Sequence, residues 1–160
     1  MNRIFKTLAL AAAITAMAVP AFAAESAPLH QTVTSPQVLT LQSAGSEHFT
    51  GEVVTAALYG PQAPSKSYAA TVTFSPGART YWHIHEMGQT LIVTEGTGWT
   101  QEWGKKPVML KPGEHCALPA GRQTLARRLG KMSMTHIAPS DAGGTVTWLE
   151  PVSDEDYPKD

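Results

Sequence analysis

Residues Pro76 to Gly96, which read P-G-A-R-T-Y-W-H-I-H-E-M-G-Q-T-L-I-V-T-E-G, decide how this chain folds. His83 and His85 stand two positions apart, and Gln89 follows four residues after His85. If residues 81–85 form one β-strand, alternate side chains share a face, so both imidazoles point the same way. Imidazole binds Zn, Cu, Fe or Ni, and an oxygen donor such as an amide extends the choice to Mn. The stretch therefore predicts half of a metal site, although an isolated pair of histidines is more often solvated or hydrogen-bonded.

Short strand-like segments separated by Gly and Pro lie on both sides of this stretch. Residues 67–74 alternate small polar and apolar side chains, and residues 90–94 are β-branched and apolar. Residues 108–110 and 115–118 form two further short runs between turns. No segment keeps apolar residues at helical spacing for long. Many short strands punctuated by Gly and Pro predict an all-β sandwich or barrel.

The spacing of glycines and possible ligands resembles the first motif of the cupin family. With five, three and six residues between successive groups, the matching positions are Gly77, His83-x-His85, Gln89 and Gly96. Many cupins have Glu where this chain has Gln. The resemblance covers roughly residues 49–157, and it is strongest to small single-domain bacterial cupins, including manganese-dependent hydroxynitrile lyases of cupin type. It implies the cupin double-stranded β-helix, which is an all-β jelly-roll barrel.

The second cupin motif is incomplete in this chain. Its glycine and proline positions match Gly113, Pro119 and Gly121, but Thr124 stands where the family has a metal-binding His. A neutral hydroxyl is a poor ligand for a divalent transition metal, so the loss weakens the site. By resemblance, the metal ligands that remain are His83, His85 and Gln89.

Three arrangements are compatible with the missing His. A divalent metal (Mn, Fe, Ni or Zn) binds through the three remaining ligands, and water or substrate fills the open positions. Alternatively, His115 or Cys116 replaces the missing ligand, since neighbouring strand residues face opposite sides and one of them points inward. In the third arrangement the metal is absent, and Arg127 or Arg128 grips the carboxylate of an organic ligand.

His136 is the candidate catalytic residue. It ends the phrase Met134-Thr135-His136, which recurs in the lyase-like relatives, where the corresponding His lies beside the metal. The resemblance therefore implies a general base, and the ordinary pKa of His suits that role. The candidate substrate-pocket residues are Tyr81, which shares strand parity with His83, Thr124 at the position of the missing His, and Arg127, which could pair with a carboxylate.

The N-terminus predicts a signal peptide over residues 1–23. Arg3 and Lys6 precede the apolar segment Leu8 to Val19, and an A-x-A cleavage site ends at Ala23. We expect cleavage near Ala23, a periplasmic or secreted protein, and no stable membrane anchor. Residues 24–48 then form a flexible N-terminal arm, and residues 49–157 form the cupin domain.

The composition narrows the class of function. The chain has 160 residues, 42% of them hydrophobic and 16% charged, and a formal net charge of −1, which describes an ordinary globular domain. It has no basic block, so nucleic acid is not an expected partner. We expect a small-molecule ligand and, because jelly rolls of this size often pair through edge strands, a homodimer. Two functions remain open: a lyase- or oxygenase-like enzyme with the reduced His/His/Gln site, and a metal-free, non-catalytic binding protein.

Overall fold

Two antiparallel β-sheets make up the part of the chain that the structure, a computed structural model, describes: residues 31–128 and 133–153. The predicted signal peptide (1–23) and the end of the predicted domain (154–157) lie outside the described residues. A single 3₁₀ turn (Pro36–Val38) precedes the strands. The strands are β1 (Gln42–Ser43), β2 (Phe49–Thr50), β3 (Val53–Tyr59), β4 (Ser67–Phe74), β5 (Arg79–Thr80), β6 (His83–His85), β7 (Gln89–Glu95), β8 (Gly98–Glu102), β9 (Val108–Leu110), β10 (His115–Leu118), β11 (Gln123–Arg128), β12 (Met134–Asp141) and β13 (Val146–Trp148).

The strand order places β6 between β13 and β11. The first sheet runs β1-β3-β4-β12-β7-β10. The second runs β13-β6-β11-β5-β2, and β8 pairs with β11 and carries β9 beyond it. This confirms the predicted all-β jelly-roll class. Within the described ranges, no helix is long and apolar enough to cross a membrane.

The hydrophobic core lies between the two sheets. Phe74 at the end of β4 is fully buried, and Leu91 and Val93 of β7 pack in the same cluster. Ala126 of the second sheet joins them, so side chains from both sheets share one core. The β4–β12 ladder, which runs from Ser67–Asp141 to Phe74–Met134, fixes the register of this wall.

The sequence predicts one continuous strand over residues 81–85, but the structure interrupts it. β5 ends at Thr80 and β6 begins at His83. Between them, the Tyr81 N–H donates to the His48 carbonyl at 2.8 Å, and the Trp82 N–H donates to the Glu150 carbonyl at 3.1 Å. Both backbone donors are thus satisfied by remote segments instead of a ladder partner. The simple alternation of side chains therefore does not extend across residues 81 and 82.

Replacement of Gly96 tests how tightly the β7–β8 turn packs against β12. Gly96 has φ +68°, and an added Cβ would collide with the Ser133 carbonyl and the Met134 Cα. Gly104 has a similar φ of +73°, but nothing lies near its Cβ position. We expect Gly104→Ala to cost about 1–2 kcal/mol for the left-handed backbone. Gly96→Ala should cost roughly 1–3 kcal/mol more, because its neighbours are backbone atoms that must move. Urea unfolding measures both, and equal losses would contradict this packing.

Candidate functional site

An internal cavity of about 190 Å³ lies between the two sheets. We call it the central cavity. Its lining consists of Phe49, Tyr68, Val72, Phe74, Thr80, His83, His85, Gln89, Leu91, Leu118, Ala126, His136, Ala138, Val146 and Trp148. The wall is mainly aromatic and aliphatic, and its strongest potential metal ligands are three histidines and one amide. Small-molecule sites in proteins have this character: an apolar wall with a few convergent polar groups.

His83 and His85 enter the central cavity from β6. Their side chains are 5% and 9% exposed, and their ring centroids lie 4.9 Å apart in an edge-on arrangement. β6 is held on one side by β11 and on the other by β13, so the strand that carries both rings cannot shift freely. The alternation of side chains along this short strand places the two imidazoles on the same face.

The carbonyl of Tyr81, in the strand break, determines which ring nitrogen of His83 carries the hydrogen. Its Nδ1 lies 2.9 Å from the Tyr81 carbonyl oxygen. A carbonyl can only accept, so Nδ1 carries the hydrogen and Nε2 keeps its lone pair. Burial lowers the pKa of His83 to about 4, the bond to Tyr81 partly opposes this, and the nearby His85 adds to the lowering. Burial also lowers the pKa of His85, so both rings are neutral at physiological pH, as metal ligation requires.

Gln89 also lines the central cavity. It is the first residue of β7, and its Nε2 donates to the Ser140 hydroxyl at 2.8 Å. This bond uses the amide nitrogen, so the carbonyl oxygen is the atom left for a ligand. Ser140 lies on β12, and the contact therefore ties the amide to a second strand of the same sheet.

His136 lines the central cavity from β12. The side chain is 3% exposed, and its ring stacks on Phe74 with centroids 5.8 Å apart. Burial lowers its pKa to about 4. Among the described residues no group bonds to its Nδ1, which is fully buried. Nε2 is therefore the ring atom available for proton transfer.

Thr124 occupies the position of the missing His, but its hydroxyl bonds to a different part of the chain. It pairs with His83 in the β6–β11 register, which places the two side chains on one face. Its Oγ1 nevertheless donates to the Gln101 carbonyl at 3.2 Å. Thr124 lines a second cavity, and it does not line the central one. The place of Thr124 in a substrate pocket therefore stays a prediction.

Neither proposed replacement ligand reaches the histidines. Cys116 and Thr124 both line the second cavity. His115 is exposed on β10. Within the described part of the chain, no group of three or more His, Cys, Asp or Glu side chains could hold a metal. The best candidate for a metal site is the set of two imidazoles and one amide formed by His83, His85 and Gln89.

Tyr81 and Arg127 are also placed away from the central cavity. Tyr81 lies in the strand break, where its hydroxyl donates to the Ser46 carbonyl at 3.4 Å. Arg127 is fully buried and pairs in register with Arg79 and Trp99. Ala126 lines the central cavity, and the next side chain along β11 points to the opposite face. Neither residue is in the described lining of the central cavity, and a role for either in binding substrate stays a prediction.

No sequence pattern pointed to Trp148, which lines the central cavity beside the histidines. It is the register partner of His83, and the two ring centroids lie 4.8 Å apart. On its other side the His48 ring stacks parallel to it at 4.3 Å, and Phe49 lies at 5.6 Å. His48, Phe49 and Trp148 thus form one aromatic wall beside His83. The pairing joins strands that are distant in sequence, so no local pattern carries it.

The donor set fits a weak divalent metal site. His83 and His85 are neutral, His83 presents Nε2, and Gln89 has a carbonyl oxygen to offer. Among the described residues, no carboxylate lines the central cavity. A divalent ion there would be surrounded by neutral ligands in an apolar wall, where charge is costly. The set can hold such an ion with open coordination positions, at low affinity.

Comparison with known proteins gives both sequence and structural similarities. No protein-family model matches the chain. It is 40% identical over 114 residues to an (R)-mandelonitrile lyase from Granulicella tundricola, covering 70% of this chain and 87% of that protein. A cupin-like protein from Thermotoga maritima is 35% identical, with a TM-score of 0.69 over 72% of this chain and 89% of its own. A polyketide cyclase from Streptomyces resistomycificus, 14% identical, shares the fold with a TM-score of 0.67 over 80% of this chain and 91% of its own.

The pH dependence of stability tests the burial of His136. Its pKa falls from 6.5 to about 4 on folding, so between these values the unfolded chain binds a proton that the folded chain does not. The free energy of unfolding is therefore higher above pH 6.5 and falls as the pH drops toward 4. The loss is on the order of 3 kcal/mol, at about 1.4 kcal/mol per pKa unit.

We expect His136→Leu to flatten this part of the curve in urea titrations at several pH values. His83 and His85 supply the slope that remains, since burial lowers the pKa of both rings. The exposed His115, replaced in the same way, is the control for the substitution. An unaltered slope in His136→Leu would contradict the buried neutral ring.

Proposed function

The chain belongs to the cupin family, as its first motif predicts, and we propose that it is an exported lyase that cleaves a small cyanohydrin-like molecule. In this proposal a divalent metal is held weakly by His83, His85 and Gln89. Export is proposed from the signal-peptide pattern of residues 1–23. The similarity to an (R)-mandelonitrile lyase at 40% identity supports the reaction class.

The observation that carries the proposal is the convergence of three neutral donors on one internal cavity. The Tyr81 carbonyl fixes the tautomer of His83, and Ser140 orients the amide of Gln89. Such contacts around metal ligands set ring orientation and ligand basicity. The three donors lie in the wall of the central cavity together with His136, so substrate, metal and proton acceptor would meet in one place.

The size of the central cavity limits the substrate. Its volume is about 190 Å³, whereas drug-sized ligands occupy pockets of roughly 300–1,000 Å³. An apolar cavity of about 150 Å³ accommodates benzene. One aromatic ring with a short polar substituent is therefore the largest class of ligand that suits this space. Phe49, Phe74 and Trp148 supply aromatic surface for the ring.

His136 is the proposed proton carrier, and its environment makes it a weak base. Its pKa is about 4, and acceptance at Nε2 requires the neutral ring to carry its hydrogen on the buried Nδ1. An unpaired buried N–H costs about 1–3 kcal/mol. His136 can therefore take a proton only from a hydroxyl that is already acidified. A bound divalent metal supplies that Lewis acidity.

In the proposed cleavage, the proton and the bonding electrons pass only between the cyanohydrin and His136. His136 accepts the hydroxyl proton of the cyanohydrin, the carbon–oxygen double bond forms, and the carbon–nitrile bond breaks. Cyanide leaves with the bonding electron pair and takes the proton back from His136, which restores the neutral ring. The apolar side chains of the wall strengthen the polar contacts made inside the cavity.

A metal-free binding protein is the second candidate, and one specific contact favours it. The Thr124 hydroxyl is committed to the Gln101 carbonyl at 3.2 Å, so the fourth family position offers no donor. In that case the histidines would serve only as hydrogen-bonding groups toward an organic ligand. Metal content separates the two candidates.

Metal reconstitution tests the proposed enzyme. We expect purified protein that has been stripped of metal and then supplied with Mn, Fe, Ni or Zn to bind one ion per chain and to release benzaldehyde from mandelonitrile. His83→Ala should lower both metal affinity and turnover by at least about 100-fold, because loss of an outer contact alone costs 10–100-fold. His115→Ala, which changes an exposed ring, is the control. Absence of metal binding with every ion would support the binding protein instead.

Substitution at Thr124 tests whether the rest of the metal site is intact. Thr124 is the register partner of His83, so a His there has a Cβ within reach of the ligand set, at about 4.5–5.5 Å from that of His83. We expect Thr124→His to raise metal affinity by at least about tenfold. Thr124→Val removes the hydroxyl without adding a ligand and should leave metal affinity unchanged. Isothermal titration with Zn or Mn measures both variants, and a loss of affinity in Thr124→Val would show that the hydroxyl itself is a ligand.

A further inference from the structure

A second cavity, of about 300 Å³, opens between β10 of the first sheet and strands β8, β9 and β11 of the second. It is larger than the central cavity, and Leu118 forms part of both linings. The proposed reaction does not use this space. We infer that it is a binding site for a small organic anion, such as an aromatic or aliphatic carboxylate.

Charge is the first argument for an anionic ligand. Lys105 and Lys106 reach this cavity from the β8–β9 turn, and Arg122 reaches it from the β10–β11 turn. Glu102 is the single acidic residue among the described residues that line it. Three cations against one anion leave an excess of positive charge in a concave space. Clefts lined by one sign of charge concentrate ligands of the opposite sign.

The convergence of the two turns is a tertiary feature. The Lys105 N–H donates to the Glu102 carbonyl at 3.0 Å, which closes the first turn. The Arg122 N–H donates to the Pro119 carbonyl at 3.4 Å in the second. Each turn is thus held by its own backbone, and the basic side chains project from two fixed positions. Arg can pair with both oxygens of a carboxylate, while Lys acts as a point charge.

The remaining wall suits an apolar ligand body. Val108, Leu118 and Pro119 line the cavity beside the basic groups. Its buried threonines are internally satisfied: Thr100 donates to the Leu125 carbonyl at 3.1 Å and Thr124 to the Gln101 carbonyl at 3.2 Å. These hydroxyl hydrogens are therefore not offered to a ligand. The positive charge lies at the two turns, and the apolar surface lies toward Leu118. This arrangement suits a ligand with a carboxylate at one end and a hydrocarbon body at the other.

Cys116 makes the occupancy of this cavity directly measurable. It is the only cysteine of the chain and lines the second cavity but not the central one. A ligand in the second cavity should shield its thiol from iodoacetamide. The experiment uses the full mature chain treated with chelator, so that the histidines hold no metal, and follows Cys116 alkylation at alkaline pH by mass spectrometry.

Three probes of similar size separate charge from shape: benzoate, benzyl alcohol and protonated benzylamine. We expect benzoate to slow alkylation saturably, and benzyl alcohol to need roughly tenfold higher concentration, since each exposed charge contact contributes a factor of a few. Benzylamine should give no protection. Raising the salt concentration should weaken benzoate protection and leave that by benzyl alcohol unchanged.

Charge-reversal variants locate the effect. Lys105→Glu with Lys106→Glu should abolish the advantage of benzoate over benzyl alcohol, and Arg122→Glu should reduce it independently. Lys66→Glu with Lys111→Glu makes the same change of net charge outside the cavity lining and should leave the advantage intact. The inference is overturned if benzoate protects no better than benzyl alcohol, or if its advantage survives Lys105→Glu with Lys106→Glu. Neither result depends on metal binding or on cyanohydrin cleavage.

Discussion

The interruption of backbone pairing at Tyr81 and Trp82 is the constraint on which the site depends. Their N–H groups must find partners, and they find them in the His48 and Glu150 carbonyls, near opposite ends of the described chain. The break frees the Tyr81 carbonyl to accept from His83. It also shifts the alternation, so that Thr80 and His83, three positions apart, both line the central cavity while Arg79 and Tyr81 do not. A regular strand would have presented a different set of side chains.

The second property on which the site depends is the absence of charged groups among the described residues in the wall of the central cavity. Desolvation lowers the pKa of His83 and His136 to about 4, and the described lining contains no carboxylate. Neutral imidazoles are ready to bind a metal without first losing a proton. The same absence of negative charge leaves a divalent ion poorly compensated. In the proposed function, such a site would bind a divalent ion loosely with open coordination positions, and His136 would accept a proton only from a hydroxyl that has been made acidic.

Sequence patterns predicted the architecture well because local chemistry sets it. The strands over residues 67–74, 108–110 and 115–118 have the predicted bounds, since turn residues flank each of them. The patterns predicted less of the pocket. Arg127 was a pocket candidate because its guanidinium could pair with a carboxylate, yet it lies one position past the cavity-lining Ala126 on the opposite face of β11. Trp148 was missed because its contact with His83 joins strands that are distant in sequence.

By itself, the sequence determined the jelly-roll class, the family, and the pair of imidazoles with a nearby amide. Strand alternation and Gly/Pro turns are short-range properties, so residue order alone expresses them. Tertiary structure decided which donors share a cavity, which tautomer His83 adopts, and that the Thr124 hydroxyl bonds to the Gln101 carbonyl. It also brought Lys105, Lys106 and Arg122 from two turns to one second cavity. These outcomes depend on strand register and on backbone hydrogen bonds between remote segments, which no local pattern specifies.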